Sequence, residues 1–302
     1  LKDVSGKIIV KDEAVTLQNI KTSIFNGLIT ANGNVSTKNA KPTFNMDLGL
    51  STVDINQTFT QLDMLKKIAP IADAINGKLN SKINLSGFLD PKEMTPDLNT
   101  LSGDLFGQLL STTINSKNSA VLSKLDDNVK FIDLSKLNLN DLKANLTFKD
   151  GKVNVKPFDI KYQDIKVNVG GQHGFDQTMN YNIKFDVPAK YLGTDANKLI
   201  AKLTPAEANK LENIPVTAIL TGNFKNPKVS TDVQQAVTKL ATELVKSQKD
   251  KLINQGTSAL GNLLGGNKPK DTTKTTTTTP KEDVKNKVTE GIKGLFNKKK
   301  KE

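Results

Sequence analysis

The first residue to test for chemistry in this chain is its single histidine, because an imidazole is the one side chain whose ordinary pKa lies near neutrality. His173 stands in Gly170-Gly171-Gln172-His173-Gly174-Phe175-Asp176, a glycine-rich segment that reads as a turn between two strands. A general base would need an oriented partner and a nucleophile, and a metal centre would need further ligands. No second histidine and no cysteine occurs, so thiolate nucleophiles, iron–sulfur clusters and cysteine-bearing zinc sites are excluded. A phosphate loop would need a following lysine and hydroxyl residue and would open a helix, whereas this segment leads into a strand. His173 therefore reads as a solvated turn residue, its neighbouring glycines supplying positive φ for a bulged turn.

The remaining candidates for acid–base work are carboxylates. Asp12, Asp54, Asp150, Asp159, Asp164 and Asp186 flank strands or turns, and no two of them form a recognisable pair. A two-carboxylate glycosidase would also want tryptophan for sugar stacking, and the chain has none. We expect no catalytic residues, no metal and no cofactor, hence a protein that is not an enzyme. The 43 basic residues are all lysine and stand against 31 acidic ones, a net charge of +12. Lacking arginine for bidentate phosphate and base contacts, and with three tyrosines as scarce stacking platforms, the chain is not expected to bind nucleic acid.

With chemistry scarce, the elements carry the information. Period-two alternation dominates: Ala144, Leu146 and Phe148 alternate with polar residues, and after Asp150-Gly151 so do Val153 and Val155. An Asp-Gly pair between such runs predicts a hairpin. Ile165, Val167 and Val169, then Tyr181, Ile183, Phe185 and Val187, continue the pattern of one-sided antiparallel strands. Sliding the chain by 138 positions brings Lys11-Asp12 onto Lys149-Asp150, Leu17 onto Val155, Ile20 onto Phe158, Ile29 onto Val167 and Gly33 onto Gly171. Phe44, Met46 and Leu48 then meet Tyr181, Ile183 and Phe185 after a one-residue gap. Two related units are expected.

Each unit carries a helical interruption at the same place. Phe59, Leu62, Leu65 and Ile68 follow Asn56 with helical spacing, and Leu199, Ile200 and Leu203 follow Asp195. Thr204-Pro205-Ala206-Glu207 has the form of a capping box that opens a further short helix. Between the units, Leu101 to Ile114 reads as strand and Ala120 to Leu125 as helix. The expected divisions are a first β unit at 1–100 with a helix near 56–68 and a second at 101–235 with helices near 195–211. An amphipathic helix follows at 236–266, ending at Gly265-Gly266, then a Thr/Lys linker at 267–283 too polar to fold and a basic tail at 284–302.

In that tail Val284, Val288, Ile292, Leu295 and Phe296 share one helical face beside Lys298, Lys299 and Lys300. An anionic membrane surface suits such a segment, and so does a soluble tail or a partner protein. No window approaches the roughly 20 apolar residues of a spanning helix. The start at Leu1-Lys2-Asp3 has no methionine and no leader character and reads as a chain cut from something longer, so any membrane anchor would lie in an N-terminal part that precedes it.

One-sided strands pose the question of what covers their apolar side. A sheet curled over its own helices is one answer, and a groove filled by acyl chains is the other. For the groove, the expected lining is Val15, Leu17, Ile29, Phe44, Met46 and Leu48 from the first unit. The second unit contributes Val153, Val155, Ile165, Val167, Val169, Tyr181, Ile183, Phe185 and Val187. Aspartate at Val167 or Ile183 is expected to block lipid binding in a chain that still folds.

Several segments together resemble the C-terminal region of AsmA-type proteins. They are Pro96-Asp97-Leu98-Asn99-Thr100-Leu101-Ser102-Gly103, Phe148-Lys149-Asp150-Gly151-Lys152-Val153, Pro157-Phe158, Phe175-Asp176, Val187-Pro188 and Leu220-Thr221-Gly222-Asn223-Phe224-Lys225-Asn226-Pro227. The resemblance covers most of 50–235 and rests on the order of the motifs. It implies a protein of the Gram-negative cell envelope, related to TamB and the bridge-like lipid-transfer proteins, held at the inner membrane and extending a β-rich groove into the periplasm. Phospholipids would be its partners, together with the membrane surface or envelope proteins, and its role would lie in outer-membrane lipid homeostasis. The expected fold is mainly β: a curved antiparallel sheet forming a groove or open barrel, with short flanking helices and a C-terminal helix.

Overall fold

The computed structural model describes residues 2–201 and 213–264. Leu1–Ser247 forms one compact unit and Gln248–Glu302 a second. In the first unit twelve strands make a single sheet, each paired with its neighbour in sequence. They are β1 (Lys2–Lys11), β2 (Ala14–Ile24), β3 (Gly27–Ser36), β4 (Thr43–Asp54), β5 (Ile75–Phe88) and β6 (Ser102–Ile114). Then come β7 (Lys143–Lys149), β8 (Lys152–Tyr162), β9 (Ile165–Gly174), β10 (Thr178–Val187), β11 (Ile214–Asn223) and β12 (Asn226–Thr231). All pairings are antiparallel, and the sheet does not close into a barrel, since β1 and β12 pair on one side only. Pairing runs unbroken from β5 to β6, so the division expected at residue 100 is no break in the sheet.

Local chemistry explains the meander. Asp12 and Glu13, Phe25 and Asn26, and Asp150 and Gly151 all have positive φ, the conformation of two-residue hairpin turns whose twist matches the strands. The longer connections carry the helices α1 (Ile55–Gln61), α2 (Asp63–Ile68), α3 (Ala120–Asn128) and α4 (Thr194–Ile200), and α5 (Val233–Leu264) follows β12. Because connections in a meander alternate between the two ends of a sheet, all of these helices leave from the same end. The helical spacing after Asn56 resolves into two short helices, the first capped by the Asp54 carboxylate on the Gln57 N–H at 3.0 Å. Extended backbone at Leu62 (φ −115°, ψ 92°) separates them. The 195–211 helix is described to Ile200; the capping box at 204–207, the glycines at 265–266, the linker and the tail lie outside the described residues.

The displacement of 138 positions reappears as geometry. In β2 the register slips between Leu17 and Ile20, and in β8 it slips between Val155 and Phe158, the same pair moved by that displacement. Opposite them stand Gly33 and Gly171. A Cβ on Gly171 would come within 2.5 Å of the Asn180 carbonyl oxygen, and φ there is +155°. A Cβ on Gly33 would meet the Asn45 carbonyl, and because Gly33 faces Met46 as Gly171 faces Tyr181, the register sets Met46, not Phe44, against Tyr181. A bulge facing a glycine lets two strands bend tightly, which is how a sheet acquires curvature. Each bulge also inserts two wet residues between consecutive inward ones, and in β8 one of them is Pro157, which has no N–H to pair.

Two apolar clusters lie on one side of the sheet. The first joins Ile55, Phe59, Leu65 and Ile68 of α1 and α2 to Val53, Leu79, Ile83, Phe148 and Val153. The second joins Val121 and Leu125 of α3, Ile132 and Leu134 beyond it, and Ala236, Leu240 and Leu244 of α5 to Ile165, Val167, Ile183, Phe185 and Val216. α3, which leaves from the end of β6, lies against β12, so the strands between them curl around it.

Candidate functional site

Registered pairs share a face, so the site can be assembled from the pairing alone. Val15 faces Val35, which faces Phe44; Leu17 faces Gly33, which faces Met46; Ala31 faces Leu48, and Ile29 faces Leu50. In β8 to β10 Val153 faces His173, Val155 faces Gly171, Val169 faces Ile183, Val167 faces Phe185, and Gly171 faces Tyr181. Ile165 and Val187 continue the same alternation in β9 and β10. The intervening rows, such as Met46, Leu85, Gly103 and Phe148, connect the halves. All fifteen expected lining residues therefore stand on one face.

That face is covered unevenly. Val153, Ile165, Val167, Ile183, Phe185 and Val187 are buried, and so is Phe44. Val155, Val169 and Tyr181 are half-buried, as are Val15, Leu17, Ile29, Met46 and Leu48. Over β9 to β11 the cover is α3, the segment behind it and α5; over β4 to β8 it is α1 and α2. Towards β1 the cover thins. Ile8, opposite Leu17, is 62% exposed, and Val10, opposite Val15, is 76% exposed. Val167 and Ile183, at 5% and 7% exposure, lie inside the second cluster, so aspartate there would place a charge in the core and unfold it. The expectation that such variants fold is corrected accordingly.

His173 departs furthest from its expected role. It is 3% exposed, lies in β9 and not in a turn, and points to the apolar face in phase with Val167 and Val169. Its Nδ1 is 2.8 Å from the Tyr181 hydroxyl and its Nε2 is 3.3 Å from the Lys67 carbonyl oxygen of α2. A carbonyl only accepts, so Nε2 carries the proton and donates it to Lys67, while Nδ1 accepts from the Tyr181 O–H. Phe224 meets the ring edge-on at 5.3 Å between centroids. Burial pushes the imidazole pKa below its ordinary value, against a smaller upward pull from the backbone of Lys67 and Ile68. Burial likewise pushes the Tyr181 phenol up, so it stays protonated. A buried imidazole committed to a phenol and a backbone carbonyl fastens one element to another.

The wet face holds a shallow feature that the alternation did not single out. Asn154, Gln172, Asn180 and Asn182, with Lys156 and Pro157 of the β8 bulge, line an open depression of about 450 Å³. Among the described residues no three histidine, aspartate or glutamate side chains are grouped to hold a metal ion, and no helix is long and apolar enough to cross a membrane. Asp54 caps a helix, Asp159 pairs with Lys166 at 3.2 Å and Asp164 with Lys190 at 2.6 Å. The tail residues Val284, Val288, Ile292, Leu295, Phe296, Lys298, Lys299 and Lys300 lie outside the described residues. No family model, no curated protein and no solved structure matches the chain.

Proposed function

We propose that this is an AsmA-like protein of the periplasm that holds or conducts phospholipid acyl chains along the apolar face of its curved sheet, in support of outer-membrane lipid homeostasis. The observation that carries the reading is the apolar face itself, in register from Ile8 and Val10 to β11 and left half-open over β1 to β3. Methyl and methylene walls hold a hydrocarbon chain without a polar contact that must break when it slides, at roughly 0.8 kcal/mol per methylene removed from water. The resemblance described above supports the envelope setting. Mass spectrometry of lipids extracted from the purified chain tests the reading, with Leu17→Asp as the comparison. Leu17 is half-buried, so a carboxylate there reaches water without entering either core cluster. Phospholipid is expected with the native chain and not with a folded Leu17→Asp. Its absence from the native chain, or equal amounts in both, overturns the reading.

A second reading is a periplasmic scaffold without ligand that assists outer-membrane protein assembly. The burial of Val153, Ile165, Val167, Ile183, Phe185 and Val187 under helices favours it. A chain that purifies free of lipid and pulls down an envelope protein would select it.

A further inference from the structure

The apolar cover over β4 to β8 is built differently from that over β9 to β11. It is one strap, residues 55–74, that leaves β4 and returns as β5, and these two strands pair directly at its base, where Asp54 faces Lys78. The strap can therefore swing without breaking a strand pairing. Its helices are short, with extended backbone at Leu62 and non-helical backbone at Ala69 where it can bend. Its apolar side chains Ile55, Phe59, Leu65 and Ile68 lie on the sheet, next to the half-exposed Ile29, Met46 and Leu48. Lifting it would join the half-open surface near β1 to the covered surface up to β8.

We propose that this strap is a gate over the apolar face, fastened to β9 by the neutral His173 imidazole and released when that imidazole takes up a proton. The proposal rests on the lipid-binding reading for its purpose and on the geometry of His173 for its working. Neutral His173 satisfies both partners at once, donating to the Lys67 carbonyl of α2 and accepting from Tyr181. A proton on Nδ1 leaves the Nε2–H bond to Lys67 in place, but it removes the acceptor, turns the Tyr181 hydrogen away and puts a cation among apolar side chains, which lifting the strap returns to water.

Among the described residues no buried carboxylate is there to balance that cation. The opposing residues on β8 and β10 are Val153 and Met179, with Tyr181 beside them. On α2, Lys66 is exposed and paired with Asp73 at 3.5 Å, and Lys67 is exposed. Lys152 on β8 is exposed, and Asp176 in the turn after β9 is bonded to Thr178. With its closed-state pKa held low by burial, His173 binds its proton more readily when the strap is open. Closure is therefore full at and above the ordinary histidine value and weakens as pH falls below it, by up to tenfold per pH unit until the closed-state value is reached.

Hydrogen exchange on the full chain tests this, with rates corrected for the pH dependence of the chemistry. Between pH 7 and pH 5, strap amides are expected to lose protection by about threefold or more relative to β5. In His173→Gln, whose amide can donate and accept but does not titrate, the strap should be indifferent to pH over that range. The single histidine gives one imidazole signal by nuclear magnetic resonance, and its midpoint should lie below 6.5. That measurement stands even where His173→Gln fails to fold. A midpoint at or above 6.5, or strap protection that tracks β5, overturns the gate. Uptake of a pyrene-labelled phosphatidylethanolamine, followed in parallel, separates the two ideas. Strap opening without uptake supports the gate and removes the lipid reading; uptake that ignores strap opening removes the gate.

Discussion

Gly171→Ala probes the curvature on which the apolar face depends. The new Cβ would lie 2.5 Å from the Asn180 carbonyl oxygen, 2.6 Å from the Tyr181 Cα and 2.8 Å from the Tyr181 Cδ1, and two of these are backbone atoms that cannot step aside. The backbone at φ +155° is also one that side-chain-bearing residues rarely adopt. Strain of that kind costs about 1–3 kcal/mol, and forcing a methyl into a packed contact costs about 1–3 kcal/mol more. The sum, roughly 2–6 kcal/mol, is a large part of the 5–15 kcal/mol that holds a typical domain together. Gly107→Ala is the control: its Cβ would meet only Leu105 Cδ2 at 3.5 Å and Leu79 Cδ1 at 3.6 Å, ordinary contacts. By restricting the unfolded chain it should be neutral or stabilising by about 0.4–1 kcal/mol. Urea titrations of both variants decide the matter. If they differ from each other by less than about 0.5 kcal/mol, the bulge-and-glycine account of the bend is wrong.

Other expectations follow from the same contacts. Phe148→Ala empties a site that is 2% exposed in the first cluster, and should cost about 3–5 kcal/mol by thermal or urea unfolding. Asp54→Ala removes the cap from α1; a local loss of about 0.5–2 kcal/mol should appear as faster exchange in α1 with β5 unaffected. Global stability should fall as pH drops from 6.5 towards 5, because the unfolded chain takes up a proton that buried His173 refuses, and His173→Gln should lessen the fall. The lowered carboxylates Asp133, Asp159 and Asp176 start from 3.8, so their stabilisation is lost at still lower pH.

Alternation made the strands legible, and the side that each side chain faces went with them. Leu17 to Ile20 and Val155 to Phe158 change phase without leaving the face, and the bulges supply the reason. Three glycines around His173 look like a turn, although its spacing of two from Gly171 and four from Val169 continues the strand in which it lies. What covers the face was not legible. Val121, Leu125, Ile132 and Leu134 are separated from the strands they touch by long stretches of chain, and nothing in local periodicity says which helix returns to which strand. Nor does spacing reveal that the Lys67 carbonyl meets a ring more than a hundred residues away.

The bulge and glycine of β2 and β3 recur in β8 and β9, six strands further along the sheet. Strands stack about 4.8 Å apart, so each added set of six would lengthen the ribbon by about 29 Å while keeping its cross-section. Such a construction works like tape measured out in fixed segments: span is set by how many copies are laid down, and the bend travels with every one.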